Sequence, residues 1–264
     1  MKFFINFLII FLSCFLFSNE DIQIVGVESS AENSNVKIYI VLPEKASLET
    51  GNEVDLQIRL RGYPLGNITN NERARELDNS NDGQSIHVII DNQPYFLRTG
   101  PSLAPYDEEG NYFESMYKFK IPFSLSKGKH FIRVFPCRSY GESLKEPGNF
   151  EASYFYYKNK SEGLKQNILD PYITYNEPTG YIRLGAKKPV LLDFYVSNCE
   201  LSDDGYKVVA IIDEKFERKL SKWTPYYIYG LKKGKHTLRL KLVDKNMVQV
   251  SGDFNNTIRA FYVQ

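Results

Sequence analysis

The chain has 264 residues, 42% apolar and 14% aromatic, with 33 Lys plus Arg against 32 Asp plus Glu. That length suits two domains of roughly 100–150 residues, and the balanced charge lacks the basic footprint of a nucleic-acid binder, so no nucleic-acid partner is expected. The 19 Tyr and 18 Phe favour half-buried strands.

Met1-Lys2 opens onto an almost wholly apolar run, Phe3 to Phe17, closed by Ser18-Asn19-Glu20. The run is shorter than the about 20 residues of a spanning helix. A charged start, a short apolar core and a small residue describe a signal peptide over residues 1–18. A second reading stays open, because Phe11-Leu12-Ser13-Cys14 resembles a bacterial lipobox in which Cys14 would carry a lipid anchor to the membrane. An uncleaved anchor is the third. The protein is expected to be exported, to the periplasm, the outer membrane or the extracellular space.

Ile22–Val27 and Lys37–Leu42 have strand character, and residues 21–158 are read as a first domain. Leu56, Ile58 and Leu60 alternate with Asp55, Gln57, Arg59 and Arg61, the period of a sheet with one wet face. Asn71–Leu77 is the one stretch with a helical pattern. Asp78-Asn79-Ser80-Asn81-Asp82-Gly83 opens like a calcium loop, but Ile89 stands where the bidentate Glu belongs, so a turn is expected. His87, out of phase with Ile86, Val88 and Ile90, reads as a surface residue. Residues 159–170 read as a linker and 171–264 as a second domain.

The two domains repeat one another. Asp82–Asp91 reads against Asp204–Asp213, Lys127–Val134 against Lys233–Leu240, Phe155-Tyr156 against Phe261-Tyr262, and Val54–Leu60 against Val190–Val196. Tyr117, Phe119, Ile121, Phe123 and Leu125 stand opposite Trp223, Pro225, Tyr227, Tyr229 and Leu231. Four shared segments in one order are a duplication. Gly128 and Gly234 close matching turns where positive φ is expected. The first copy carries two insertions, within Gly66–Asp82 and between Asp91 and Lys127, the latter holding the Gly100–Asn111 loop. Insertions of this kind often carry function. The expected fold is all-β, two tandem immunoglobulin-like β-sandwich domains.

Leu191-Leu192-Asp193-Phe194-Tyr195, Leu201–Val208 and Trp223-Thr224-Pro225-Tyr226 resemble the C-terminal domain of a family of bacterial envelope proteins and lipoproteins. Some members are called phosphopeptide-binding proteins. The Gly-Arg, Ser-x-x-His and Asn-Gly loop motifs of forkhead-associated phosphopeptide readers do not occur in this chain. The resemblance implies an envelope protein with immunoglobulin-like domains and supplies no catalytic or binding residues.

Chemistry-bearing residues are sparse. His130 and His236 share one repeat position after a turn Gly and read as structural, bridging a turn carbonyl as the immunoglobulin-corner tyrosine does. The acidic Asp107-Glu108-Glu109 run reads as a solvated loop tip. No Gly-x-Ser-x-Gly, Cys–His or zinc-spaced set occurs, so no metal or cofactor is expected. Cys137 and Cys199 fall in different domains and are expected to be free, packed thiols. Tyr95, Phe96, Tyr106, Tyr112, Phe113, Trp223 and Tyr226 are candidates for stacking on a sugar or peptide, whereas Tyr227 and Tyr229 read as packing. The expected function is a non-enzymatic binding or spacer module engaging a protein or glycan of the envelope. A carbohydrate-binding module is the alternative, and an enzyme comes third.

One strand lacks a wet face. Thr237, Arg239 and Lys241 are out of phase with the second core, but Phe131, Arg133 and Phe135 hold those positions in the first copy. Such a face needs a cover: the N-terminal segments Ile22–Val27 and Lys37–Leu42, which are favoured, the second domain, or a separate partner.

Overall fold

The computed structural model describes residues 22–30, 35–100, 114–185 and 188–264. The signal segment with Cys14, the acidic run at 107–109, and Tyr106, Tyr112 and Phe113 lie outside these. In chain order the elements are β1 (Gln23–Gly26), β2 (Lys37–Leu42), β3 (Leu48–Glu49), β4 (Asp55–Arg61), α1 (Glu72–Glu76), β5 (Ser85–Ile90), β6 (Phe96–Arg98), β7 (Glu114–Lys120), β8 (Gly128–Cys137) and β9 (Glu151–Tyr157). The second copy follows with β10 (Tyr172–Glu177), β11 (Gly180–Ile182), β12 (Val190–Ser197), β13 (Lys207–Ile212), β14 (Phe216–Leu220), β15 (Tyr226–Tyr229), β16 (Gly234–Val243) and β17 (Asn256–Val263).

The duplication extends to topology. Sheets β2-β4-β7 and β3-β9-β8-β5-β6 form the first sandwich; β10-β12-β15, extended by β1, and β11-β17-β16-β13-β14 form the second. In each copy the first strand ends at a cis-proline, Pro43 or Pro178, and the next short strand runs parallel to the last one. This order of strands is immunoglobulin-like. Each sandwich has its own core: Leu56, Ile58, Val88, Val134 and Phe155 in the first, Leu192, Phe194, Val208, Leu240 and Phe261 in the second. Gly128 and Gly234 have φ of 122° and 131°, as their turns require.

Three sequence expectations are corrected. The first concerns β1, expected with the first domain. It pairs antiparallel with β15 of the second, Ile24 opposite Ile228, and puts Ile24 into the second core. Beyond it, Ser30 is held by Glu142 of the first sandwich, with Ser30 N donating to Oε1 at 2.9 Å. The second concerns β15, whose faces are reversed. β4 pairs Leu56 with Phe119 and β12 pairs Leu192 with Tyr226, one residue out of the register read from sequence, and a one-residue slip turns every side chain to the other face. Tyr226 is therefore a core residue and not an exposed platform, Tyr227 is buried against the first domain, and Tyr229 is partly exposed.

The third correction concerns the apolar face of β8. Phe131, Arg133 and Phe135 are fully buried, and their cover is the second domain. Phe131 meets Tyr172 and Phe254 edge-on, with centroids 5.5 and 5.2 Å apart; Phe135 packs on Tyr195 at 5.0 Å. The guanidinium of Arg133 lies 4.0 Å over the Phe254 ring, donates to Thr174 Oγ1 at 3.1 Å and also to the Asp91 carbonyl. The outer face of the first five-stranded sheet thus lies against the outer face of β10-β12. The expected helix is α1, capped by Asn71, whose side chain accepts from Ala74 N at 2.9 Å. It packs Ala74 and Leu77 near Leu191 and Tyr227, so the Gly66–Asp82 insertion serves the docking. Residues 159–170 bond to both sandwiches: Glu162 accepts from Lys129 N at 2.8 Å, and Asp253 accepts from the Lys165 and Gln166 amides.

Cys137 is buried and Cys199 partly so, both as thiols. Burial raises both, Cys199 to about 11, so both should react slowly when native. Thiol titration of the exported protein after denaturation is expected to find two; zero in a non-reduced monomer would refute it, and three would mean that Cys14 is retained and unmodified.

Candidate binding cavity at the domain junction

The docked sheets leave a cavity of about 160 Å³ at one end of their junction. The first domain contributes the Asp78–Gly83 turn, His87, Tyr95 and the turn at Arg138–Gly141; the second contributes Glu177, Thr179, Tyr181 and Leu191.

His87, expected on the surface, is 3% exposed. It shares a sheet face with Phe135, directly opposite it on β8, and the docking that buries the phenylalanine buries the imidazole. Its ring stacks on Tyr95 at 3.7 Å and 18°. The Nδ1 lies 2.8 Å from Asn176 Oδ1, while Asn176 Nδ2 donates to the Gly141 carbonyl and to Asp193 Oδ2, both at 2.8 Å. Two acceptors fix the Asn176 amide, so its oxygen faces the imidazole and Nδ1 must be the donor. Nε2 then keeps its lone pair. Burial lowers the His87 pKa to about 4, against the weaker raising pull of Asn176 and Asp193.

Glu177, at the end of β10, accepts from Tyr95 Oη at 2.6 Å and from Thr179 N at 2.8 Å. Burial raises its pKa to about 8, despite these two bonds. The two shifts act on stability with opposite signs. Glu177 adds stability that is complete below the ordinary 4.5 and lost as pH rises through 8. His87 adds stability that is complete above 6.5 and lost as pH falls through 4. Between pH 4.5 and 6.5 the slopes offset each other. Relative to wild type, Glu177→Gln is therefore expected to lose up to about 1.4 kcal/mol per pH unit as pH falls from 8 to 4.5. Denaturation midpoints across that range test this, and a constant difference refutes it.

The other two histidines hold matching corners. His130 Nδ1 lies 2.7 Å from Asp91 Oδ2 and Nε2 lies 2.8 Å from the Ser126 carbonyl; His236 repeats this with Asp213 and the Lys232 carbonyl. The second carboxylate oxygen of each Asp accepts the next backbone N–H, from Phe131 or Thr237. With acceptors at both of its ring nitrogens, the His130 imidazole can donate twice as a cation. Burial opposes that charge in His130, but Asp91 outweighs it and the pKa is raised. Both histidines bridge their turn carbonyls, as the sequence implied, and the Asp partners add a second tie to each corner.

The remaining candidates scatter. Trp223 is 38% exposed, donates Nε1–H to the Phe194 carbonyl at 2.9 Å and tilts against Tyr195. Tyr226 donates to the Lys222 carbonyl at 2.7 Å from within the core. Phe96 packs on the first core. Neither Trp223 nor Tyr226 lines the junction cavity, and of the sequence candidates among the described residues only Tyr95 does. Asn176, Glu177 and Tyr181 were missed. The signal available was the Tyr172, Thr174, Asn176 alternation on β10, which looks like an ordinary wet face.

No protein-family model matches the chain, and no curated protein matches it. Among solved structures, the fibronectin(III)-like modules of Clostridium thermocellum CbhA align over 86% of this chain and 94% of theirs, at TM-score 0.29 and 11% identity. The two tandem V-type regions of VCBP3, a v-region-containing chitin binding protein, align over 87% of this chain and 99% of theirs, at 0.25 and 8%. Bacteroides ovatus SGBP-B, of a mixed-linkage glucan utilization locus, aligns over 86% of this chain and 47% of its own, at 0.20 and 13%. At these values nothing about a ligand passes from those proteins to this chain.

Proposed function

We propose that the chain is an exported, non-enzymatic envelope protein, a binding or spacer module whose two sandwiches act as one body and whose ligand enters the junction cavity. The observation that carries this reading is the cavity itself, whose polar groups come from both domains and are held by a fixed network (His87–Asn176–Asp193 and Tyr95–Glu177). Preorganised polar groups in a concavity between domains are the usual setting of a binding site. Two of the three imidazoles have both nitrogens committed to corners, which favours binding over acid–base catalysis.

Intact mass of the exported protein tests the first half: loss of residues 1–18, or of 1–13 with a lipid on Cys14, is expected, and a mass including Met1–Ser13 refutes both. For the second half, the mature protein is passed over immobilised envelope polysaccharide and envelope protein separately. Leu97, 46% exposed, lines the cavity, and Leu97→Trp fills it. Binding to one fraction that this variant loses supports the cavity; binding that survives moves the site elsewhere, and no binding leaves the spacer half alone.

A further inference from the structure

Tyr181 is the most exposed aromatic ring among the described residues, at 68%, yet it is not free to swing. It lies on β11, whose parallel pairing with β17 sets it beside Tyr262, and the two rings stack at 5.0 Å and 22°. An exposed ring braced by a second ring is a flat apolar platform whose ordering cost is met before any ligand arrives. Tyr181 also lines the junction cavity, so the platform stands at the rim of a polar recess. The recess has the liquid volume of about five waters, enough for one six-membered ring and its hydroxyls but not two.

The groups inside are matched to hydroxyls rather than to a charge. His87 lines the cavity, and with Nδ1 committed to Asn176 its remaining ring nitrogen is Nε2, an acceptor that needs an O–H or N–H donor. Glu177 already accepts from Tyr95 and Thr179, and Asp78 is bridged to the Arg183 backbone N–H and guanidinium. Among the described lining residues Arg138 is the single guanidinium, set with the carboxyls of Asp78, Asp82 and Glu177, so the convergent guanidinium donors that mark an anion site are not present there.

Resting on the reading of this cavity as the ligand site, we propose that it takes the terminal ring of a neutral saccharide, which stacks its apolar face on Tyr181 and donates a hydroxyl hydrogen to His87 Nε2. Recognition of a chain end belongs to the same proposal: one ring occupies a recess of this size and the rest of the glycan lies in solvent.

The test is calorimetric titration of the mature protein with glucose, galactose, mannose, N-acetylglucosamine and glucosamine, and with the linear oligomers of the first four. One neutral sugar is expected to bind saturably, with affinity changing by less than about threefold beyond the disaccharide. Tyr181→Ala should weaken it about tenfold or more, the loss of one aromatic contact. Tyr181→Phe, which keeps the stack, should stay within about threefold. A steady gain in affinity with each added sugar would overturn end recognition, and binding of glucosamine alone would make this a cation site. Sugar binding that survives Leu97→Trp would overturn the cavity reading itself. Absence of sugar binding, with retention of a protein ligand that Leu97→Trp abolishes, would overturn the saccharide and leave the cavity standing.

Discussion

Phe135→Lys is expected to separate the two domains without unfolding either. Phe135 is fully buried between Tyr195, Phe150 and His87, on the sheet face that points away from the first core. Truncating such a ring costs about 3–5 kcal/mol, and an ammonium with no carboxylate partner adds a desolvation cost. The first core, built on Ile132 and Val134 from the opposite face of β8, is untouched. The second copy supplies the control, because the position matching Phe135 is Lys241, only partly buried on an open sheet face. A lysine is therefore compatible with this strand wherever no domain covers it. Denaturant unfolding followed by calorimetry should show one transition in wild type and a lower midpoint, or two transitions, in the variant. Lys241→Phe should change stability by less than about 0.5 kcal/mol. A variant as stable and as cooperative as wild type would mean that the docked arrangement is not the one in solution.

What the sequence could convey follows from how far apart the interacting residues lie. The two sandwiches, the histidines that bridge their own turn carbonyls and the turn glycines each rest on patterns within a strand or one turn, and these were readable; the Asp91 and Asp213 partners of those histidines, on another turn, were not. The apolar outer face of β8 was also readable as a face in need of cover. The second domain was one of the covers the sequence allowed but could not be singled out, because its docking face is built from Tyr172, Thr174, Asn176, Asp193 and Tyr195, which alternate as a wet face would. His87 was misjudged for the same reason. Its phase on β5 puts it on the face of Phe135, so the argument that required a cover for the phenylalanine applied equally to the imidazole. The pairing of β1 with β15 joins residues some 200 positions apart, and a four-residue strand carries no mark of its distant partner. The β15 register failed on a one-residue difference between the copies, which period-2 alternation cannot detect when both faces are aromatic.

Asp193→Ala is expected to be the most damaging single change at the junction away from the phenylalanines. The carboxylate is fully buried and has four donors: the Lys145 ammonium, Ser143 Oγ at 2.5 Å, Ser143 N at 3.2 Å and Asn176 Nδ2 at 2.8 Å. Ser143 and Lys145 belong to the first domain and Asp193 to the second, so the cluster crosses the interface. Removing the acceptor leaves an ammonium that is 8% exposed with its carboxylate gone, and breaking a buried pair in this way costs about 3–5 kcal/mol. Asn176 also loses one of the two acceptors that set its amide, so the His87 tautomer and the cavity lose their support. The pair itself need not be a net source of stability, since two buried charges repay their desolvation only with good geometry. Asp193→Leu combined with Lys145→Met should therefore recover the part of the loss due to the stranded ammonium, though not that of the Ser143 and Asn176 donors. The expected coupling energy is about 2 kcal/mol or more in a double-mutant cycle with Asp193→Leu and Lys145→Met as the single variants. Recovery of stability without recovery of ligand binding in that double variant would separate the two roles of the cluster, docking the domains and aiming His87. Additive losses in the cycle would show that Asp193 and Lys145 do not interact.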